Sequence, residues 1–290
     1  MNSDSQPDLQ PLASGEGLGN RFLIFRFQSE QQLQQLQASA AVLCKNDYDG
    51  LLIVGDVGDA DAAELIFAPE VPIYARVINR DGSDGGTCLN GLRVVALLSG
   101  QDSGVLHMAG REISWQRMMM PAIFDPAAPP VGELIELHIA PQHLSPSLWQ
   151  PLALAVAGNA AWAVDFWNPH CVIEVENPAD ADLSTLAAAA RRRVDLFPSG
   201  VNVEVVRFGE GAVQMRVEER GVGETKACGS GAVAAATVAW SSGRIAQDQE
   251  IDVQMPGGNL SICQTAQRGI RLVGAATISR IGGFWPDPAR

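Results

Sequence analysis

Short runs of β-branched and aromatic residues recur along the chain, separated by glycine, proline and charged clusters. Phe22 to Phe27, Leu51 to Gly55, Val71 to Ile78, Leu134 to Ile139, Ala161 to Phe166, Val201 to Phe208, Ala212 to Glu218 and Ile270 to Ile278 each predict a strand. Apolar residues at helical spacing are fewer. They predict helices over Gln31 to Leu43, Leu92 to Ser99, Leu183 to Arg193 and Gly231 to Gly243, with Ser145 to Ala157 a further candidate. Many strands with a few long helices make an α+β protein, and the missing βαβ alternation argues against a doubly wound nucleotide-binding sheet.

Asp125-Pro126-Ala127-Ala128-Pro129-Pro130 can continue neither a helix nor a paired strand, and it falls near the middle of the chain. It predicts a domain boundary. Each half then carries strands and one helix entered through a cysteine, Cys88-Leu89-Asn90-Gly91 in the first and Cys228-Gly229-Ser230-Gly231 in the second. A duplicated unit with a pseudo-twofold arrangement would bring the two cysteines face to face across a cleft.

Composition narrows the function classes. The 290 residues are 47% hydrophobic, enough for well-buried cores, and the formal net charge of −13 opposes binding to nucleic acid or to anionic membranes. Met1 to Gly19 contains no Lys or Arg and no apolar core, so it reads as a polar leader that becomes ordered near Phe22. Leu152 to Trp167 is interrupted by Gly158, Asn159 and Asp165 and is too short to span a bilayer. A soluble, cytoplasmic protein is expected. The cysteines at 44, 88, 171, 228 and 263 are odd in number and lack C-x-x-C spacing, which disfavours zinc ligation and a disulfide framework. Cys171 and Cys263, in the strand-like runs Cys171 to Val175 and Leu260 to Cys263, read as small buried hydrophobes, as does Cys44.

Cys88 and Cys228 read differently because each opens a loop-to-helix junction. A thiol there meets unpaired backbone N–H groups and the positive end of the helix dipole, which stabilise a thiolate. The loop Glu218 to Gly231 adds Gly221, Gly223, Gly229 and Gly231, where backbone can approach a ligand closely. Its helix N-terminus suits a carboxylate, and Arg220 could clamp a second one. The segment Asn79 to Arg93 offers asparagine donors and acceptors before the other helix. Taken singly, Asn79-Arg80-Asp81-Gly82-Ser83 and Asn168-Pro169-His170 are ordinary turn signatures.

Together these segments resemble the diaminopimelate epimerase family. Gly17-Leu18-Gly19-Asn20-Arg21-Phe22, Asp49-Gly50-Leu51-Leu52, Asn79 to Arg93, Asn168-Pro169-His170, Phe197 to Val203, Glu219 to Gly231 and Pro256 to Leu260 follow that family's motifs in order, over roughly residues 17 to 285. The resemblance implies two pseudo-symmetric domains, each a mixed or antiparallel sheet wrapped around a central helix headed by a cysteine, with the active site in the interdomain cleft. Residues 1–127, with 1–16 a flexible leader and with 277–290 as a completing strand, would form the first domain, and 128–276 the second.

The function implied is cofactor-independent epimerisation of LL-2,6-diaminopimelate to the meso form, a step toward lysine and peptidoglycan, in a cytoplasmic homodimer. Cys88 and Cys228 would be the acid and base, with His170 and Glu219 beside them. Asn20, Asn79, Leu89, Asn90, Asn168, Asn202, Glu219, Arg220, Gly229 and Ser230 would bind the substrate; neither a metal nor an organic cofactor is implied. Two bases suit the chemistry, since inverting a stereocentre requires proton loss on one face and gain on the other. The chain departs from the pattern at Leu89, where the family has glycine, at Arg21 in place of aspartate, and in a shortened segment Leu43 to Asp49. Those departures leave open a related racemase or epimerase with another amino-acid substrate, or a catalytically weak homologue that acts as a binding protein.

Overall fold

The computed structural model of the protein describes residues 9–45, 47–55, 71–118 and 132–280. They form an α+β fold of many strands. The proline-rich stretch 125–130 lies outside the described residues, as do residues 1–8 and 281–290. The chain divides into two compact units, Met1–Ile135 with Ala275–Arg290, and Glu136–Gly274.

In the first unit the order is β1 (Ala13–Gly17), β2 (Asn20–Arg26), α1 (Glu30–Cys44), β3 (Gly50–Val54), β4 (Ile73–Asn79), α2 (Leu89–Leu98), β5 (Ser103–Met108) and β6 (Arg111–Arg117), with β7 (Glu133–Ile139) running across the division. Strands β2 and β3 are parallel, β3 and β4 antiparallel, β4 and β5 parallel, and β5 and β6 antiparallel. Helix α1 starts where Ser29 accepts the Gln32 N–H at 3.1 Å while the Gln32 side chain accepts the Gln28 N–H, a variant of the capping box. Its apolar face packs Leu33, Leu36, Ala40 and Cys44 against Leu23, Phe25, Leu51 and Ile53. Each leucine buried there contributes about 2 kcal/mol.

Residues 13–16, expected in a flexible leader, are instead part of a paired strand. Ala13 is buried, β1 pairs antiparallel with β2, and it pairs on its other side with β16 (Ile270–Arg280). Its small residues carry no strand propensity because they answer to packing. A Cβ on Gly15 would lie 2.3 Å from Val94 Cγ1, and one on Gly17 would lie 2.8 Å from Asn90 O, so α2 can approach only a bare backbone.

The second unit continues through β8 (Leu152–Val156), β9 (Asn159–Phe166), β10 (Asn168–Glu174), α3 (Leu183–Arg191), β11 (Asn202–Phe208), β12 (Ala212–Glu219), β13 (Gly223–Thr225), α4 (Gly229–Ser241), β14 (Ile251–Met255), β15 (Gly258–Gln264) and the start of β16. The helix considered over Ser145 to Ala157 does not form. Pro146–Trp149 makes a short 3-10 turn and Leu152–Val156 is a strand. Pro151 disfavours helical backbone at Gln150, and Ala157-Gly158, at φ 48° and 83°, closes a two-residue hairpin into β9.

The two units repeat one pattern of pairing. Phe22 lies opposite Gly50 in the parallel pair β2–β3, and His170 lies opposite Asn202 in β10–β11. Leu51 faces Ile78 in β3–β4 as Val203 faces Glu218 in β11–β12. Leu106 faces Ile113 in β5–β6 as Val253 faces Leu260 in β14–β15. Even a surface ion pair recurs, Arg76 with Asp84 and Arg216 with Glu224. In each unit one helix is enclosed: α2 touches β1 to β6, and α4 touches β9 to β12, β14 and β15. Both are apolar on nearly every side, as a helix surrounded by sheet must be.

Candidate active site

Each enclosed helix is capped by a cysteine. Cys88 (φ −117°, ψ 105°) is the N-cap of α2 and its Sγ accepts the Gly91 N–H at 3.4 Å. Cys228 (φ −128°, ψ 114°) is the N-cap of α4 and its Sγ accepts the Gly231 N–H at 3.4 Å. The helices begin at Leu89 and Gly229, earlier than Leu92 and Gly231, so each thiol is part of the helix terminus itself. Sulfur thereby takes one first-turn N–H and sits at the positive end of the dipole.

In the first unit the Cys88 thiol points to Asn20 Oδ1 at 3.8 Å, and its backbone N–H donates to Met108 Sδ at 3.3 Å. Asn20 is fixed from behind, where its Nδ2 donates to Asp49 Oδ2 at 3.1 Å; the Arg21 N–H donates to the same oxygen at 2.8 Å. The Arg21 side chain itself is exposed over the Tyr48 ring, 5.2 Å from its centroid, so the exchange from aspartate leaves Asn20 anchored. Asn79 closes the end of β4 and its Nδ2 donates to Ser83 Oγ at 2.9 Å. Leu89 is buried in the first helical turn with no positive φ, and it keeps a backbone N–H there, as any non-proline residue does. Asn90 is also buried, and its Oδ1 accepts from Arg93 Nη2 at 3.0 Å.

In the second unit Cys228 is buried, with Ser230 Oγ 3.3 Å from its sulfur. Burial, then the carboxylates of Glu219 and Glu204, push the Cys228 thiol well above its ordinary range, against hydrogen bonds from Ser230 and Gly231. Glu219 ends β12 and accepts from Thr225 Oγ1 at 2.6 Å. Burial raises its carboxyl, the Thr225 hydrogen bond lowers it, and Glu204 raises it again. Asn202 Oδ1 accepts the Arg220 N–H at 2.8 Å, and Arg220 Nη1 donates to Ser199 O at 2.8 Å while its stem lies over Gly200. Asn168 is half-buried at the head of β10, and His170 two residues on is fully buried.

The second unit thus gathers Cys228, Glu219, His170, Gly229 and Ser230, with Asn202 and Arg220 joined beside them, and the first gathers Cys88, Asn20, Leu89 and Asn90. Sequence reasoning passed over Glu204. Its Oε1 lies 2.7 Å from His170 Nδ1, and both side chains are fully buried. A carboxylate within the apolar run Val203-Glu204-Val205-Val206 was the available signal. Gly231 makes room for it, since a Cβ there would lie 2.5 Å from Glu204 Oε1. His170 Nε2 and Glu204 Oε2 are buried without hydrogen-bond partners among the described residues, a costly arrangement that points to a functional role. Among those residues no cluster of three or more His, Cys, Asp or Glu could hold a metal ion, and no helix is long and apolar enough to cross a membrane.

Comparison with known proteins adds an independent line. The family model for diaminopimelate epimerase matches residues 162–278. Diaminopimelate epimerase of Bacillus pumilus is 30% identical over 290 aligned positions, covering 93% of this chain and 96% of that protein. The Bacillus mycoides enzyme of the same name is 31% identical, covering 90% and 92%. Among solved structures, a predicted epimerase from Pseudomonas aeruginosa matches with a TM-score of 0.63 over 93% of this chain and 98% of that one, at 13% identity. A phenazine biosynthesis protein of the PhzF family from Bacillus anthracis matches at 0.60 over 94% and 98%, at 12% identity. At such identities the structural matches speak to the fold alone.

Proposed function

The chain belongs to the diaminopimelate epimerase family, and we propose that it interconverts LL- and meso-2,6-diaminopimelate, with Cys88 and Cys228 as the proton-transferring pair. The observation that carries this reading is the recurrence of one device: two thiols, each the N-cap of an enclosed helix and each bound to the N–H three residues on at 3.4 Å. A structural cysteine needs no such terminus, and two at corresponding positions of a repeat suit a reaction that handles a proton twice.

In the proposed reaction one cysteine is thiolate and takes the α-proton, leaving a carbanion-like centre. The other, a thiol, delivers a proton to the opposite face and becomes thiolate, so protons balance and the two roles exchange. Backbone N–H groups at Leu89 and Asn90 and at Gly229 and Ser230 belong to first helical turns, which bind carboxylates and spread the developing charge. Arg220 and the side chains of Asn20, Asn79, Asn168 and Asn202 would hold the carboxylates and amines, and Glu219 beside Cys228 would support its protonation.

The reading is tested by incubating reduced protein with LL-diaminopimelate and following the meso isomer by chiral chromatography, with a panel of other amino acids alongside. Turnover of diaminopimelate supports it. Turnover of a different amino acid alone would assign the same chemistry to another substrate, and no turnover of any would overturn it.

A further inference from the structure

The repeat makes the two thiols comparable position by position, and the comparison shows opposite charge around them. Where the second unit has His170, Glu204 and Glu219, the corresponding positions of the first are Phe22, Leu52 and Asn79, all uncharged. Where α2 has Arg93, five residues after its cysteine, α4 has Val233. Each thiol therefore has a buried charge that the other lacks.

Arg93 is fully buried. Its guanidinium donates to Leu89 O at 3.3 Å, Asn90 Oδ1 at 3.0 Å and Ala275 O at 3.5 Å, all uncharged, and no carboxylate pairs with it among the described residues. A buried cation held only by neutral oxygens is costly unless a negative charge forms nearby. Burial pulls Arg93 down to about 10, so it stays charged at neutral pH, and the Cys88 thiolate is what opposes that fall. Four other charged or titratable groups on the strands around α2 have partners of their own. Glu16 of β1 accepts the Gly19 N–H, Arg76 of β4 pairs with Asp84, His107 of β5 stacks on Tyr74, and Arg111 of β6 donates to Thr87. Asp49, behind Asn20, lies 3.7 Å from the Arg80 guanidinium. Around Cys228 the balance is reversed: the carboxylates of Glu219 and Glu204 oppose a further negative charge.

We propose that Arg93 is a positioning residue that keeps Cys88 as thiolate in the resting protein, while Cys228 rests as thiol. Resting on the two-thiol reading above, this makes Cys88 the first base and Cys228 the first acid. An isomer presenting its α-proton to Cys88 reacts at once. Its epimer must wait for the protons to exchange.

The test is site-resolved alkylation by iodoacetamide across pH, with Cys88 and Cys228 peptides quantified by mass spectrometry in the full-length wild type, Arg93→Lys and Arg93→Met. In the wild type the Cys88 midpoint is expected at least about one pH unit below that of Cys228. Arg93→Met is expected to raise the Cys88 midpoint by about one unit, a roughly tenfold loss of Cys88 reactivity at neutral pH, with Cys228 unmoved and Arg93→Lys restoring it. An unshifted Cys88 midpoint in folded Arg93→Met overturns the proposal. So does a wild type in which Cys228 ionises at or below Cys88, a comparison that stands even if Arg93→Met does not fold. No substrate enters the experiment, so its failure is distinct from a failure of the epimerase reading.

Discussion

His170 and Glu204 form a fully buried pair, Nδ1 to Oε1 at 2.7 Å, at the positions where the first repeat packs Phe22 and Leu52. One scaffold thus accepts either an ionisable pair or an apolar one. Glu204→Leu alone strands a buried imidazole and is expected to cost about 3–5 kcal/mol. The double variant His170→Phe with Glu204→Leu copies the first repeat and should return to within about 2 kcal/mol of wild type. Urea denaturation of Glu204→Leu, His170→Phe and the double variant, each against wild type, checks this. Additive losses in the double variant would show that the pair is not one unit.

Gly231 should tolerate a methyl group less well than Gly91. At Gly231 a Cβ meets Glu204 Oε1 at 2.5 Å and Glu204 Cγ at 3.1 Å, whereas at Gly91 its one close contact is the end of Leu52, Cδ2, at 2.9 Å, with Cys88 Cβ and Sγ at an ordinary 3.7 Å. Gly231→Ala is expected to break the His170–Glu204 contact, at a cost of about 1–3 kcal/mol and with loss of most epimerase activity. Gly91→Ala should lose less stability than that. Thermal melts paired with initial rates make the comparison, and equal losses at the two sites would refute it.

Alkaline pH should weaken the fold through its buried thiols. Burial, then Glu204, pushes Cys171 from an ordinary 9.0 up to about 12, and Cys228 is raised as well. Above pH 9 the unfolded chain loses these protons while the native state keeps them, so the native state binds more protons and stability falls as pH rises. Each thiol contributes about 1.4 kcal/mol per pH unit, an effect absent below its unfolded pKa. Urea midpoints at pH 7 to 10 should fall less steeply for Cys171→Ala than for the wild type. Parallel curves would contradict this.

Much of this organisation was legible in sequence because it rests on local signals. The runs Leu51 to Gly55 and Val201 to Phe208 read as strands through β-branched residues, and Gln31 to Leu43 and Leu183 to Arg193 as helices through apolar spacing; they form as Glu30–Cys44 and Leu183–Arg191, capped by Ser29 and Asp182. Tertiary demands hid the rest. Ala13–Gly17 is a strand whose small residues admit α2, and Leu152–Val156 looks helical until Pro151 and the Ala157-Gly158 turn are considered. The helix starts at Leu89 and Gly229 were read late because cysteine is not among the preferred N-caps. Glu204 and Arg93 went unassigned for a related reason. A single charge in an apolar run shows its partner only once the strands are in register.

If one thiolate removes the α-proton and the other thiol delivers a different proton to the opposite face, solvent deuterium tests the proposed pair most directly. Wild-type protein in D₂O with LL-diaminopimelate should place deuterium at the inverted carbon of the meso product. Cys88→Ala and Cys228→Ala should each lose epimerisation by at least about a thousandfold, the loss of a positioned acid or base with its partner idle. Full epimerisation by either variant, or inversion by the wild type without deuterium uptake at that carbon, would contradict the account.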